Sequence, residues 1–305
     1  MTQQFVFAPA TKEQARLRLA IFGPSGSGKT FTSLRLATGL GGKVAFIDTE
    51  RGSASKYADR FMFDVLELED KDINTYCTAI AAAESAHYDV LIIDSLTHAW
   101  HELLDEVEKL ARAKYSGNTW SAWSEGTPKQ RLLVDAILSF DGHVIATMRT
   151  KTEWTITQDS KGRNKPTRVG LAPEQGKGIE YEFDLLMELT TDHIGSVIKD
   201  RTGRYQDKVI SEPGEDLGEA LAAWLADGEL PPRPEPGEMN VEMPAVDGWN
   251  ELRDAAVKQL HYRHSQHVKN TLKAVFNGQS GELTFGAAWT ALVDHKRAGQ
   301  EASSE

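Results

Sequence analysis

A run near the amino terminus, GPSGSGKT, contains the residue types that bind a polyphosphate. Three glycines in it, Gly23, Gly26 and Gly28, allow the backbone to curl so that successive N–H groups point at phosphate oxygens. Lys29 supplies a cation for the β- and γ-phosphates, and the hydroxyl of Thr30 is a ligand for Mg²⁺. ATP and Mg²⁺ are therefore the expected ligands. The predicted nucleotide contacts here are Gly23, Pro24, Ser25, Gly26, Ser27, Gly28, Lys29, Thr30 and Phe31.

The segments on either side of this loop are the ones that the G-x-x-x-x-G-K-[ST] motif requires. Residues 16–22 alternate as a strand does, and residues 30–40 have helical periodicity and end in glycines. A strand, a glycine loop and a helix in this order bring the positive end of the helix to the phosphates. The alternative is a glycine-rich turn with a chance Gly-Lys-Thr, which does not account for both flanks.

A carboxylate follows a second apolar run. Residues 90–93 are typical of a strand covered on both faces, and Asp94 comes next, at the carboxyl edge where parallel sheets bind ligands. We expect Asp94 to join the Mg²⁺ shell through water. Asp94 could also cap the following helix, and the two roles are compatible.

Another strand-like segment, VAFIDTERG, leads to the carboxylate of Glu50. Many P-loop ATPases place their catalytic glutamate directly after the magnesium aspartate, but Ser95 occupies that position here. Glu50 could instead orient and polarise the water that attacks the γ-phosphate. On spacing alone, a solvated loop glutamate is the favoured interpretation.

Together, VAFIDTERG and VLIIDSL resemble the RecA family of recombination ATPases. In that family a Phe-Ile-Asp-x-Glu strand provides the catalytic glutamate, and the Walker B strand ends in Asp-Ser. The resemblance implies that Glu50 is the catalytic glutamate and Asp94 the magnesium aspartate. Residues 143–150, HVIATMRT, resemble the strand that ends in a polar γ-phosphate sensor. Arg149 stands there in place of the usual glutamine.

Within this family, residues 16–226 are most similar to phage-encoded RecA-like ATPases implicated in single-strand annealing and recombination. The similarity rests on TPKQRLLVDAIL with the Trp-rich stretch before it, TMRTKTEW, GLAPEQGKGIEYEFD and KDRTGRY. It implies ATP hydrolysis coupled to single-stranded DNA. A ring helicase or translocase motor is the first alternative, and a P-loop kinase is a more distant one.

Two cations, Lys199 and Arg201, lie at the predicted tip of a hairpin formed by IGSVIK and RYQDKVI. They could simply be two exposed charges. The resemblance implies that they complete the nucleotide site of an adjacent protomer, which requires a homo-oligomer in the form of a ring or a filament. The Phe-x-x-Ala patterns of residues 5–10, FVFAPA, could supply an oligomerisation strand, or an edge strand of the same chain.

Basic residues concentrate between residues 149 and 168, where a hairpin around DSKGRN is predicted to contact DNA. The predicted loop 113–126 adds two tryptophans on which bases could stack. The alternatives are a solvated basic turn and tryptophans packed under a loop, with Trp123 stapling a helix that begins near Thr127. The candidate DNA contacts are Lys151, Trp154, Lys161, Arg163, Lys165, Arg168, Trp120 and Trp123.

Alternating strand and helix patterns predict an α/β fold, a RecA-like P-loop core with a largely parallel sheet and a small C-terminal helical domain. The predicted divisions are an N-terminal segment and possible oligomerisation strand (1–15), the RecA-like ATPase domain (16–228), a Pro/acid-rich linker (229–247), a helical domain (248–298) and a tail (299–305). A single-strand-binding protein is a further candidate partner.

Composition limits the compartment and the partners. The net charge of -11 argues against indiscriminate coating of nucleic acid. The single cysteine, Cys77, excludes a disulfide framework. No signal peptide or membrane-spanning run is expected, so we expect a cytoplasmic protein, in the bacterial host if it is phage-encoded, with no membrane partner.

Overall fold

A computed structural model of the chain describes residues 15–158, 164–227, 242–260, 268, 271–272 and 284–301. Its strands are β1 (Arg18–Phe22), β2 (Val44–Asp48), β3 (Asp64–Glu67), β4 (Val90–Asp94), β5 (His143–Met148), β6 (Thr150–Gln158), β7 (Asn164–Pro173), β8 (Leu185–Leu189), β9 (Ile194–Asp200) and β10 (Val209–Ser211). Its helices are α1 (Lys29–Leu40), α2 (Ile73–Ser85), α3 (Leu96–Lys114), α4 (Thr119–Ser139), α5 (Ile179–Glu182), α6 (Glu215–Ala226), α7 (Trp249–Gln259) and α8 (Phe285–Glu301), with a 3₁₀ helix at Ala54–Tyr57.

Eight strands form one sheet in the order β10-β9-β8-β1-β5-β4-β2-β3. The six strands from β8 to β3 run parallel, and β9 and β10 are added antiparallel at one edge. The predicted fold class, an α/β protein with a largely parallel sheet and C-terminal helices, is confirmed. The carboxyl ends of β1, β5, β4 and β2 are neighbours, so the residues that follow these four strands meet at one edge.

Strand β1 shows how the two faces of the sheet are buried. Ala20 and Phe22 belong to the core that packs against α2, α3 and α4, whereas Leu19 and Ile21 belong to the core against α1 and α6. A strand buried on both faces needs a continuous apolar run, and RLAIF satisfies this apart from Arg18. The guanidinium of Arg18 donates to the carbonyl oxygens of Leu17, Leu138, Phe140 and Gly142.

The predicted loop over residues 113–126 is largely helical, so that expectation was wrong. Helix α3 continues to Lys114, and α4 begins at Thr119 after Asn118, whose side chain accepts from the N–H of Ser121 at 3.2 Å. The predicted helix start at Thr127 is also wrong, because α4 runs through Pro128. Gly126 allows close packing here, since a Cβ on it would lie 2.6 Å from Val107 of α3. Packing against α3 therefore stabilises α4 as one continuous helix, although Pro128 lacks the backbone N–H that a helix interior normally uses.

The hairpin predicted after residue 194 is present, with a second strand shorter than expected. Strand β10 pairs only with the start of β9, where Val209 faces Ser196 and Ser211 faces Ile194. Asp200 organises the chain between them, because its carboxylate accepts from the backbone N–H groups of Thr202, Arg204 and Tyr205 at 2.6–2.8 Å. The segment after Asp200, part of which was predicted to pair with β9, instead forms a turn that the Asp200 side chain stabilises.

Strands β6 and β7 form a separate two-stranded antiparallel hairpin that begins one residue after Arg149. The register pairs Thr150 with Pro173 and shifts between Glu153 and Trp154. The predicted basic hairpin is therefore present as secondary structure.

The C-terminal helices α7 and α8 enclose their own apolar cluster, which includes Leu252, Ala256 and Leu292. The rings of Trp249 and Phe285 meet edge to face with centroids 4.8 Å apart. None of the helices that the structure describes has the length and apolar character needed to cross a membrane.

Candidate nucleotide-binding site

The glycine loop between β1 and α1 has the conformation that its sequence requires. Gly26 and Gly28 have φ angles of +81° and +85°, in the left-handed region that favours glycine. A Cβ on Gly23 would lie 2.3 Å from the carbonyl oxygen of Leu189. These three positions are therefore restricted to glycine, and the loop leads directly into the amino end of α1.

Lys29 lies over this loop. Its ammonium group donates to the carbonyl oxygens of Gly23 and Pro24 at 3.0 and 2.9 Å. Burial lowers the pKa of Lys29, against the attraction of Asp94 and Glu50. The two carboxylates favour its charged form, which is the form that a phosphate-binding lysine needs.

Asp94, at the end of β4, is held by two hydroxyl groups. Thr30 donates to Oδ2 and Thr147 to Oδ1, each at 2.5 Å. The residue is only 2% exposed, and burial raises the pKa of its carboxyl group while these two hydrogen bonds oppose the rise. The Thr30 hydroxyl and the Asp94 carboxylate are hard oxygen donors beside the phosphate loop. This donor set fits Mg²⁺ held by a P-loop threonine and an aspartate.

Glu50 follows β2, which pairs with β4 so that Asp48 lies opposite Asp94. The carboxylate of Asp48 fixes the turn that carries Glu50, because it accepts from the N–H groups of Glu50 and Ala54 at 2.6 and 3.0 Å. Arg149 donates through Nη2 to Oε1 of Glu50 at 2.8 Å. Burial favours the neutral acid, but this hydrogen bond and nearby positive charge outweigh it, so the pKa of Glu50 is lowered.

These groups face one open cavity of about 970 Å³, a volume at the upper end of the usual range for ligand pockets. It brings together Lys29, Thr30, Glu50, Asp94 and Arg149 from four separate segments of the chain. Of the predicted loop contacts, Gly23, Pro24, Ser25, Gly26, Gly28 and Phe31 also line it. Ser27 does not, because its side chain is fully buried beneath the loop.

The structure does not bring Lys199 and Arg201 to this cavity. Strand β9 is antiparallel to β8 and places Lys199 opposite Leu186, near the amino ends of the parallel strands. Lys199 donates to the carbonyl oxygens of Glu180 and Tyr181, each at 2.9 Å. Arg201 donates to the carbonyl of Tyr181 at 2.7 Å and to the carboxylate of Asp184 at 3.2 Å. Both cations therefore lie toward the amino ends of the parallel strands, whereas Lys29 lies beyond their carboxyl ends.

The two tryptophans predicted to contact DNA have different surroundings. Trp120 is 88% exposed at the start of α4. Trp123 is half-buried, packs against the core and stacks on Trp100 with centroids 5.6 Å apart. Because Trp123 lies within α4 and not ahead of a helix start, it does not staple a helix that begins near Thr127, and its contacts instead hold α4 against the core.

Among the basic candidates, Lys151 donates to the carbonyl oxygen of Gln175 at 2.9 Å. Trp154 lies on β6 opposite Arg168 of β7, and Lys165 lies opposite Thr157. Lys161 and Arg163 fall outside the described residues.

Several cavity and network residues were not anticipated from the sequence. Thr147 holds Asp94, and His98 of α3 contacts both Thr49 and Arg149. His193 reaches the phosphate loop, where its Nδ1 lies 3.1 Å from the carbonyl oxygen of Ser27. Tyr57 lines the cavity and packs against Phe31 with ring centroids 5.4 Å apart. Thr147 becomes recognisable only once β4 and β5 are adjacent, and His98 only once the residues that follow β2 and β5 are brought together.

The parallel sheet, the glycine loop and the carboxylates at the strand ends define a P-loop nucleotide-binding domain. A family model described as "AAA domain" matches residues 15–208, which is more than half of the chain. The chain belongs to this family, and its first domain is an AAA-type P-loop ATPase domain. The comparison with curated proteins returns no match.

Proposed function

We propose that the protein is a RecA-like ATPase that hydrolyses ATP in the presence of Mg²⁺ while it acts on single-stranded DNA, in homologous recombination or single-strand annealing. The position of Glu50 is the observation that carries this proposal. Its carboxylate comes from β2, next to β4, and faces the same cavity as Lys29 and Asp94. A glutamate on the strand beside the Walker B strand is the arrangement that the resemblance to RecA implies.

The cavity supports hydrolysis through groups with separate roles. Lys29 and the loop N–H groups bind the β- and γ-phosphates, while Thr30 and Asp94 would hold Mg²⁺, which supplies charge neutralisation when bound. Glu50, ionised because its pKa is lowered, orients the water that attacks the γ-phosphorus. The bond from the γ-phosphorus to the β–γ bridging oxygen breaks, and ADP and inorganic phosphate leave.

Single-stranded DNA is the proposed partner because the basic β6–β7 hairpin is joined directly to the nucleotide cavity. Arg149 lines the cavity, and the hairpin begins at the next position. A change in the contacts of Arg149 on ATP binding would therefore be transmitted directly to the hairpin. The hairpin sequence contributes the basic candidates and Trp154, and Trp120 on α4 offers an exposed ring on which a base could stack.

A homo-oligomer, as a ring or a filament, completes the proposal. Lys199 and Arg201 lie near the amino ends of the parallel strands, away from the nucleotide cavity of their own chain. We therefore place them in the nucleotide site of a second copy, where they would act as cations in trans. Among the described residues no strand pairs with the outer side of β3, where Val65 and Leu66 are exposed at 41% and 46%. An added strand such as FVFAPA of a neighbouring copy would suit it, although those residues lie outside the described part of the chain.

The same proposal includes a phage origin, and a single-strand-binding protein as a candidate partner for the C-terminal helices. A ring helicase or translocase motor uses the same core and would unwind duplexes in an ATP-dependent manner. The recombination class would instead pair complementary strands without net unwinding. A P-loop kinase would be indifferent to DNA.

Steady-state ATP hydrolysis with and without single-stranded DNA tests the proposal, with Glu50→Gln as the active-site variant. We expect DNA to stimulate turnover and Glu50→Gln to lower kcat by about 10²- to 10⁴-fold while ATP binding persists. The matched control is Glu102→Gln, which makes the same chemical change at an exposed position on α3 outside the cavity. It should hydrolyse ATP at the wild-type rate.

Three outcomes would count against parts of the proposal. Equal rates of ATP hydrolysis with and without single-stranded DNA would contradict the proposed DNA partner and favour the kinase class. Normal hydrolysis by Glu50→Gln would remove the role of the glutamate. Strand separation without annealing, in a parallel assay with labelled complementary strands, would favour the motor class.

A further inference from the structure

His98, in the first turn of α3, occupies a position between the cavity and the protein interior. Its side chain is 14% exposed. Its Nδ1 lies 2.7 Å from Oγ1 of Thr49, and its Nε2 lies 2.9 Å from Nη2 of Arg149. The same Nη2 donates to Oε1 of Glu50 at 2.8 Å, so one guanidinium nitrogen contacts both the imidazole and the carboxylate, whose Nε2 and Oε1 atoms are 3.7 Å apart.

The partners of His98 determine where its proton resides. A guanidinium group only donates, so Nε2 must accept from Arg149, and the ring proton must be on Nδ1. Nδ1–H then donates to Oγ1 of Thr49, which also accepts from the backbone N–H of Ser95 at 2.9 Å. The hydroxyl proton of Thr49 is left to bond the carbonyl oxygen of Asp94 at 3.0 Å. Each donor in this network has an acceptor only when His98 is neutral.

The network connects the Walker B strand to the side chain of Arg149. Thr49 is buried and bonded to β4 through the carbonyl of Asp94, so its hydroxyl is a fixed acceptor for His98. The backbone of Arg149 is also fixed, because its N–H donates to Oγ1 of Thr97 at 2.9 Å. The side chain of Arg149 is 45% exposed, and Nε2 of His98 is the neutral acceptor that restricts where its guanidinium group lies.

We propose that His98 is a positioning residue for ATP hydrolysis, whose neutral imidazole holds Arg149 in place against Glu50. The inference rests on the proposed hydrolytic role of Glu50. Without the imidazole, the side chain of Arg149 would keep, among the described residues, its hydrogen bond to Glu50, and a long, half-exposed side chain held by one such bond samples many rotamers. The carboxylate that orients water would then lose its fixed geometry, which lowers kcat more than it weakens nucleotide binding.

The charges around His98 predict how pH affects this arrangement. Burial lowers the pKa of His98, Arg149, Lys71 and His101 lower it further, and Glu50 opposes them. His101 in turn lies 3.2 Å from the carboxylate of Glu174. Protonation of His98 would place a donor and a positive charge against Arg149 and break their contact. Hydrolysis should therefore fall on the acid side, with an apparent pKa below the ordinary histidine value of about 6.5.

A pair of substitutions at position 98 separates positioning from folding. His98→Leu removes both ring nitrogens, and we expect a decrease in kcat of about tenfold to hundredfold with little change in KM for ATP. His98→Gln retains an acceptor for Arg149 that does not titrate, so it should recover most of the rate and abolish the acid limb of the pH profile. His101→Leu is the matched control on the same helix; it should keep the wild-type kcat at neutral pH, and its acid limb should move slightly toward higher pH because a charge that lowers the pKa of His98 is lost.

A double-mutant cycle with Arg149→Gln tests whether His98 acts through Arg149. In the Arg149→Gln background, His98→Leu should have no further effect on kcat. Additive losses would overturn the proposal, as would a His98→Gln variant as slow as His98→Leu or an unchanged acid limb. Thermal unfolding of each variant identifies any loss that comes from misfolding.

A second measurement does not depend on turnover. ¹⁵N NMR of histidine-labelled protein should show His98 as the neutral Nδ1–H tautomer, and Arg149→Gln should raise its pKa. If the wild-type protein does not hydrolyse ATP but shows this tautomer, the proposed function fails and the His98–Arg149 contact stands. If hydrolysis is normal but the ring is the Nε2–H tautomer, the proposal for His98 fails and the proposed ATPase function stands.

Discussion

Thr147 donates a hydrogen bond from Oγ1 to Oδ1 of Asp94 at 2.5 Å, inside the sheet and with no exposure to solvent. The two residues lie on neighbouring parallel strands, β5 and β4. Thr30 of the phosphate loop binds the other carboxylate oxygen. The aspartate is therefore oriented from both sides before any ligand reaches it, one side belonging to the loop and the other to the sheet.

Replacing Thr147 by valine tests this arrangement, since valine retains the shape and removes the donor. A hydrogen bond to a charged group is worth about 1.5–3 kcal/mol, so the half-saturating Mg²⁺ concentration for ATP hydrolysis should rise about tenfold or more. A Mg²⁺ titration of the steady-state rate measures it. Thr147→Ser keeps the hydroxyl and should restore the wild-type curve. Identical Mg²⁺ curves for valine and wild type would show that Asp94 is oriented without this residue.

Lys199 and Arg201 are predicted to act on a neighbour, and mixing two inactive variants tests this. The first variant is Glu50→Gln, and the second is Lys199→Ala/Arg201→Ala. In a mixed oligomer some sites combine an intact Glu50 with an intact pair of cations from the adjacent copy. Random mixing in equal amounts should therefore recover about a quarter of the wild-type rate from two nearly inactive samples.

The position of the two cations makes the opposite result equally informative. They bond to the carbonyl groups of Glu180 and Tyr181 at the far edge of the sheet. If they only stabilise their own protomer, the mixture will be no faster than the sum of its components, and the double variant will unfold at lower temperature. An enlarged assembly in size-exclusion chromatography, with and without ATP, indicates whether mixing can occur at all.

The sequence predicted the strand ends well because each one combines a buried apolar run with an abrupt polar residue. Asp94 and Glu50 stand out for this reason, and the glycine loop is restricted by its own backbone geometry. Thr147 does not stand out, because a threonine within HVIATM is an ordinary strand residue. Only the adjacency of β4 and β5, a property of the whole sheet, gives its hydroxyl a carboxylate to bind.

The errors have the same origin. Thr127 and Pro128 are a sound local signal for a helix start, but the fit of Gly126 against Val107 keeps α4 continuous through them. The sequence also does not reveal that β9 runs antiparallel to β8, which places Lys199 away from the nucleotide site of its own chain, while its role in a neighbour's site stays a prediction. Contacts between distant segments decided both features, whereas local patterns were sufficient for the loop and for the strands beside it.

His143, at the start of β5, should make the protein sensitive to acid. Its Nδ1 accepts from the N–H of Leu17 at 3.0 Å, and burial, together with Arg16 and Arg18, lowers its pKa to about 4. The unfolded chain takes up this proton near pH 6.5, so stability is retained above that value and lost as the pH falls toward 4. At pH 5 this group should cost about 2 kcal/mol of unfolding free energy relative to neutral pH.

Urea unfolding at pH 7 and pH 5 measures the contribution of His143 when wild type is compared with His143→Asn. Asparagine offers an oxygen that can accept from Leu17 and does not titrate. The variant should therefore lose clearly less stability than wild type over this interval. Equal losses in the two proteins would assign the acid sensitivity to other groups.

Trp123 is expected to support the fold. It is half-buried and stacks on Trp100, so Trp123→Ala should lower the free energy of unfolding by about 2–4 kcal/mol. Urea unfolding measures the change. An unfolding free energy within experimental error of wild type would mean that the stack contributes little and would return Trp123 to the DNA-contact candidates.

Trp120 is expected to contact DNA, three residues earlier on the same helix. Its ring is 88% exposed, so Trp120→Ala should leave the unfolding free energy unchanged. Stacking on an aromatic side chain is worth about 1–3 kcal/mol per base, so the Kd for a fluorescent single-stranded oligonucleotide should rise at least about fivefold. Trp120→Phe keeps a ring and should retain most of the affinity, which separates stacking from a loss of helix structure. If anisotropy titrations give the same Kd for alanine and wild type, the exposed ring does not bind DNA, and the β6–β7 hairpin is left as the proposed contact surface.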